Sequence, residues 1–231
     1  MAKSGVKVLG SWASPYANKV QIALNLKSID YEFIQEDVSN KSQLLLESNP
    51  FTRKSLFLSM MGSPYASPSS LFNTSTMFGL QTGLPFSLLI LMNVPRPVFG
   101  PRTLVTRLYS STRALFFCVV NGEEGEKTTI PLEEVYQVLD VLENAFIKCS
   151  KGQKFFGGDK IGYVDIEFGS CLSWINIIAK MGNFSLIGES NTPNLFKWAQ
   201  DFCCADAVKV VLPETDKLME YAKSYATNNY N

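Results

Sequence analysis

Residues 6–36 place one helical stripe between two short strands, and that order leaves few folds open. Val6-Lys7-Val8-Leu9 reads as a short, largely buried strand, and Val20, Ile22, Ala23, Leu24 and Leu26 form an amphipathic helical stripe after Pro15. Tyr31-Glu32-Phe33-Ile34-Gln35-Glu36 alternates as a second strand. A strand, a crossover helix and a strand predict a right-handed βαβ unit with a parallel pair, the two-stranded start of an α/β domain.

The turn between the first strand and the helix is Trp12-Ala13-Ser14-Pro15-Tyr16. Ser14 stands at a plausible N-cap, and Pro15 at the first helical turn, where a missing N–H costs nothing. Capping alone accounts for a serine there. The same position also suits chemistry: a hydroxyl at the positive end of a helix can donate to an anion, and a thiolate placed there is stabilised against its thiol. Asp37-Val38-Ser39-Asn40-Lys41-Ser42 then leads into Leu44-Leu45-Leu46 and ends at Asn49-Pro50, a turn followed by a short helix. On its own, Lys41 reads as a solvated surface lysine.

The second half of the chain predicts helices only. Leu132, Val135, Leu139, Leu142, Ala145 and Phe146 mark an amphipathic helix over 130–149 with Pro131 near its start. Phe155-Phe156-Gly157-Gly158-Asp159 is a tight connection. Gly162-Tyr163-Val164-Asp165 opens an apolar run through Leu172, Trp174, Ile175, Ile177 and Ile178, which has the all-round hydrophobicity of a buried core helix. Asp165 stands near the start of that run, where a carboxylate accepts backbone N–H bonds, a structural role. Thr192-Pro193 starts a helix through Leu195, Phe196, Trp198, Ala199 and Phe202, and Pro213-Glu214 starts a last one through Leu218, Met219 and Tyr221. Trp174 and Trp198 fall on apolar stripes and read as core.

Composition narrows the chemistry. Lys plus Arg equals Asp plus Glu at 21 each, so no basic field attracts nucleic acid or anionic lipid. The chain has no histidine, which excludes Ser-His-Asp, Cys-His and histidine–metal chemistry. Five cysteines without a CxxC spacing, and a start, Met1-Ala2-Lys3-Ser4, lacking a signal-peptide core, give the expectation of a reducing, cytoplasmic home. The most apolar run, 84–94, is far shorter than the ~20 residues that span a bilayer, so no membrane association is expected.

One interval departs from the rest. No acidic residue occurs between Glu47 and Glu123, and prolines at 64, 68, 85, 95, 97 and 101 interrupt any long element. From 55 to 107 neither helical nor strand periodicity persists.

Outside that interval, over roughly 1–50 and 108–231, the chain resembles the plant tau class of glutathione S-transferases. The stretches that carry the resemblance are V-K-V-L-G-S-W-A-S-P-Y-A-N-K-V-Q-I-A-L, Y-E-F-I-Q-E-D-V-S-N-K-S-Q-L-L-L-E-S-N-P, F-F-G-G-D-K-I-G-Y-V-D-I and P-E-T-D-K-L-M-E-Y-A-K. The resemblance implies an α/β thioredoxin-like N-terminal domain over 1–83 that binds glutathione, incomplete here because 51–83 is anomalous. It implies an all-α C-terminal domain over 90–231, anomalous over 90–107, which shapes an apolar electrophile site. It implies Ser14 as the catalytic residue, a glutathione-binding set of Ser14, Pro15, Asn40 and Lys41, no metal or organic cofactor, and a homodimer with a detoxification role.

After Asn49-Pro50 the family carries a V-P strand start with a cis-proline and then a Glu-Ser pair for the γ-glutamyl end of glutathione, whereas this chain has Ser67 and Pro68 in that register. A shifted reading frame over about 51–107 accounts for the departure. Met60-Met61-Gly62 can only be encoded ATG-ATG-GGN, which read from the third base gives Asp-Gly. Met77-Phe78-Gly79 shifts to Val followed by Trp or Arg, and Met92-Asn93-Val94 to Glu followed by Arg or Cys, matching the family's D-G, V-W and E-R. Codons for residues 65–68 permit Cys-Glu-Ser. The expected activity is thiolate attack by glutathione on apolar electrophiles; the rival readings are a non-catalytic carrier of apolar ligands and a non-functional product of a faulty gene model.

Overall fold

The computed structural model describes residues 6–37, 40–48, 57–60 and 101–229. The chain divides into two compact units, Met1–Val94 and Pro95–Asn231.

In the first unit, β1 (Val6–Gly10), α1 (Pro15–Leu26) and β2 (Glu32–Gln35) form the expected parallel βαβ, with Val8 opposite Phe33 and Leu9 opposite Ile34. The period of two sends β1 side chains to both faces of the sheet, and each face is covered. Val6 and Val8 pack with Val20 and Leu24 of α1, while Leu9 packs with Leu45 of α2 (Gln43–Ser48). Both Val8 and Leu9 are thereby buried, as a parallel strand between two helical layers requires. α1 ends without glycine. The Ile29 amide donates to the Leu24 carbonyl and the Ser28 amide to that of Asn25, with Ser28 at φ 53°, a left-handed helix terminus closed by Ile29 packing back onto the Leu24 cluster.

A third strand, β3 (Phe57–Met60), pairs antiparallel with β1, Val6 opposite Met60 and Leu9 opposite Phe57, giving the order β2-β1-β3. β3 adds to the expected two-stranded start a strand from the interval in which no strand periodicity persists. Four residues are too few to show alternation above the surrounding apolar composition, and the strand is specified by the open edge of β1 rather than by its own pattern. Ser67, Pro68 and the expected cis-proline lie outside the described residues.

The second unit contains helices alone among its described residues: α3 (Pro101–Val120), α4 (Glu126–Ser150), α5 (Tyr163–Gly169), α6 (Leu172–Gly182), α7 (Pro193–Cys204), α8 (Asp206–Lys209) and α9 (Thr215–Asn229). α3 begins at Pro101, inside the interval without periodicity, because proline is favoured in a first helical turn. α4 starts earlier than the apolar stripe predicted, so Pro131 lies inside it. Proline has no N–H for the carbonyl four residues back, that of Lys127. The Cys118 thiol of α3 donates to this carbonyl instead, at 3.2 Å.

The predicted single helix after Gly162 is two. The first of them ends at Gly169, where a Cβ would come within 2.2 Å of the Phe202 ring. A side chain at 169 would displace Phe202, so glycine is required at this position by a residue distant in sequence. Phe202 belongs to an aromatic core in which the Trp198 ring stacks on Phe168 with centroids 4.5 Å apart, and Phe156 meets Trp198 edge-on at 5.7 Å. Trp198 is core, as its stripe predicted. Trp174 meets Phe116 edge-on at 5.3 Å.

Two carboxylates hold this unit's turns. Asp165 is completely buried and accepts four hydrogen bonds: from the amides of Phe156 (2.8 Å), Gly157 (3.0 Å) and Gly162 (2.8 Å), and from the Trp198 indole (2.7 Å). Glu143 of α4 accepts from the amides of Asn194 (2.9 Å) and Leu195 (2.8 Å), filling the N-terminus of α7 with a charge from another helix.

Candidate active site

β1 and β2 are parallel, so the segments that follow them leave the sheet at the same, carboxyl-terminal edge, where open α/β sheets place their ligands. The loop after β1 carries Ser11 to Ser14, and the loop after β2 carries Asn40 and Lys41. Fold topology thus brings all four expected residues, Ser14, Pro15, Asn40 and Lys41, to one edge of one sheet.

Ser14 is the N-cap residue of α1 in extended conformation (φ −81°, ψ 118°), with Pro15 opening the helix. Its backbone is engaged: the amide donates to the Ser11 carbonyl at 3.0 Å, and its carbonyl accepts the Asn18 amide at 3.0 Å. Its hydroxyl makes no capping bond. The half-buried Oγ–H has no hydrogen-bond partner among the described residues, at the end of a helix where the peptide dipoles concentrate positive potential. The plain capping reading of Ser14 therefore does not hold here.

The loops are tied to β2 by residues the sequence reading passed over. Gln35 accepts the Trp12 amide at 3.0 Å through Oε1 and donates from Nε2 to the Glu36 carbonyl, also at 3.0 Å. Glu36 donates its own amide to the Gly10 carbonyl and buries its side chain to 1% exposure. That carboxylate accepts the Ser42 hydroxyl at 2.6 Å and the Ser42 amide at 3.1 Å. Ser42 Oγ in turn accepts the Leu45 amide at 3.1 Å, which caps α2. Asn40 is exposed and Lys41 half-exposed on the loop so closed. The one hint in the sequence was a serine before an apolar helical run, with a carboxylate at the end of the preceding strand.

Among the described residues, no group of three or more His, Cys, Asp or Glu is arranged to hold a metal ion, and no helix is long and apolar enough to cross a membrane.

The sequence profile of the glutathione S-transferase N-terminal domain matches residues 9–53, and that of the glutathione S-transferase C-terminal domain matches residues 110–206. Glutathione S-transferase U17 of Arabidopsis thaliana is 39% identical over 238 aligned residues, covering 96% of this chain and 96% of that protein. The chain belongs to the glutathione S-transferase family, with a thioredoxin-like α/β N-terminal domain and a helical C-terminal domain. Within that family it falls in the plant tau class. The crystal structure of the tau class glutathione S-transferase from mango, Mangifera indica, is 36% identical with a TM-score of 0.76, covering 96% of this chain and 99% of that one. A rice glutathione S-transferase solved in complex with glutathione is 22% identical with a TM-score of 0.73 over the whole of both chains, a likeness of fold.

Proposed function

We propose that the protein conjugates glutathione to electrophilic, mostly apolar small molecules, with Ser14 as the catalytic residue and Pro15, Asn40 and Lys41 completing the glutathione-binding set. The observation that carries this reading is the Ser14 hydroxyl at the N-terminus of α1, which makes no capping bond and has no hydrogen-bond partner among the described residues. It donates a hydrogen bond to the glutathione sulfur and remains protonated throughout. The amides of Tyr16 and Ala17, which precede the first intrahelical bond of α1, add to the field. Lowering the thiol pKa from near ~8.5 by about one unit corresponds to about 1.4 kcal/mol, within reach of one hydrogen bond and a helix terminus. The thiolate electron pair then forms the new S–C bond while the electrophile's leaving group, or its conjugated double bond, takes up the displaced pair. No step requires histidine, a metal or an organic cofactor.

The similarity to named transferases over nearly the whole chain favours the enzyme over a non-catalytic carrier of apolar ligands. A cytoplasmic homodimer acting in detoxification completes the reading, supported by the family and by the cysteine pattern.

The test is the absorbance of the bound thiolate titrated against pH in the wild type and in Ser14→Ala. The substitution raises the pH at which the bound thiol ionises by about one unit and depresses conjugation at neutral pH accordingly. An unchanged titration and rate would remove Ser14 from its role.

A further inference from the structure

The loop that carries Asn40 and Lys41 is closed by a buried carboxylate, and closure of that kind exceeds what the neighbouring helix needs. Ser42 Oγ alone caps α2 by accepting the Leu45 amide. Glu36 takes the Oγ–H, which turns a lone pair of that oxygen to the Leu45 amide, and with its other oxygen takes the Ser42 amide, a bond the cap does not need; it gives up hydration to a site of 1% exposure, where both of its oxygens are spent on Ser42. Its own backbone is fixed by the amide bond to Gly10 in β1. The first and last residues of the 36–42 loop are therefore anchored to each other and to the sheet, while Asn40 and Lys41 stand at the surface between the anchors.

We infer that Glu36 and Ser42 are positioning residues for glutathione binding: their bonds hold Asn40 and Lys41, which immediately precede Ser42, where Lys41 reaches its ligand, so that binding does not have to order them. This rests on the proposed role of Lys41 as a glutathione contact. An exposed loop with a single anchor samples many conformations, and a ligand that needs one of them binds more weakly by the fraction of time the loop spends elsewhere.

Calorimetric titration of glutathione into the full chain tests the inference, with thermal unfolding run alongside to confirm that each variant folds. Glu36→Gln keeps the shape but weakens the clasp, and Ser42→Ala removes its hydroxyl; each is expected to raise Kd on the order of 5-fold. Ser42→Thr restores the hydroxyl and is expected to bind within about twofold of the wild type. Because Glu36 acts through Asn40 and Lys41, adding Glu36→Gln to Asn40→Ala/Lys41→Ala weakens binding no further. A merely structural contribution would instead multiply with the loss of those two contacts. The inference is overturned if Lys41→Ala weakens binding while Glu36→Gln and Ser42→Ala do not, or if Glu36→Gln weakens the Asn40→Ala/Lys41→Ala variant as much as it weakens the wild type. Unchanged binding by Lys41→Ala would strike down the role of Lys41 itself and the clasp with it. Should Glu36→Gln fail to fold, the Ser42→Ala and Ser42→Thr pair, which leaves the carboxylate in place, decides the question.

Discussion

Replacing Asp165 by alanine leaves four donors facing a void: the amides of Phe156, Gly157 and Gly162 and the indole of Trp198. Each buried donor without an acceptor costs ~1–3 kcal/mol. Gly157 stands on a less buried side where water can partly replace the carboxylate, so the low end of that range is appropriate and the total is about 4 kcal/mol. Set against ~5–15 kcal/mol for a whole folded protein, this is a large fraction, equivalent to a fall in Tm of roughly 8–16 °C. Asparagine does not rescue it. Its amide nitrogen would face donors where an oxygen now accepts them. Urea unfolding of the full chain, followed by near-ultraviolet circular dichroism to report on the Trp198 surroundings, measures both variants. A loss below about 1 kcal/mol with an unaltered tryptophan signal would refute the claim that this carboxylate organises the turn.

The pH dependence of the same residue has a definite sign. Burial lifts the Asp165 carboxyl above its ordinary value of 3.8, with the bonds from Gly162, Trp198, Phe156 and Gly157 pulling the other way. A folded value above the unfolded one means that the folded state takes up the proton first. The stability linked to this ionisation is fully present below 3.8 and is lost as pH rises through the folded value. Asp165→Ala removes that component, and the variant's stability profile is flatter across this window.

Lys41→Ala is expected to raise the half-saturating glutathione concentration more than it lowers turnover at saturation, since a contact remote from sulfur acts equally in ground and transition states; saturation kinetics in glutathione check it, and a fall in turnover at unchanged half-saturation contradicts it. Cys203 should alkylate far more slowly than its exposed neighbour Cys204, because burial, and next the adjacent Cys204, push its thiol up to about 11. At a pH of about 8.5 its thiolate fraction is lower than that of a free thiol on the order of 100-fold, a difference visible by peptide mapping after brief iodoacetamide treatment. The shifted-frame account of 51–107 predicts that sequencing the transcript across codons 50–110 finds a compensating pair of indels or a misplaced intron boundary. The frame-restored protein is then the more soluble and the more active of the two, and equal performance by the chain as it stands would overturn that account.

What the residues disclose on their own is whatever depends on near neighbours. The largely apolar run Val6 to Leu9, the stripe from Val20 to Leu26 and the alternation from Tyr31 to Glu36 were enough for the parallel pair and its crossover, because burial on both faces of β1 leaves its mark residue by residue. Thr192-Pro193 marked the start of α7 for the same local reason. The break between α5 and α6 left no such mark, since Ser170 and Cys171 between them keep a right-handed helical backbone and no proline or glycine directly follows Gly169 to announce a new helix. β3 was invisible because its partner, not its composition, specifies it. At the site, Ser14 was legible as a residue at a helix start, but that its hydroxyl escapes capping is a matter of geometry. Glu36 and Ser42 read as ordinary polar residues until the loop between them is closed.

The thiol bridge from Cys118 to the Lys127 carbonyl turns a flaw within one rod into a catch between two. A regular helix presents a saturated backbone along its flank, and a neighbour can slide past it by a residue with little to oppose the slip. Where Pro131 opens one rung, the flank acquires a single address, and only the side chain that meets it there is satisfied. Beside the bond from Ser111 to Glu134, the α3–α4 hairpin thus gains a cross-helix hydrogen bond that a more perfect helix could not have offered, and the proline and the cysteine, on different helices, form one unit of information rather than two.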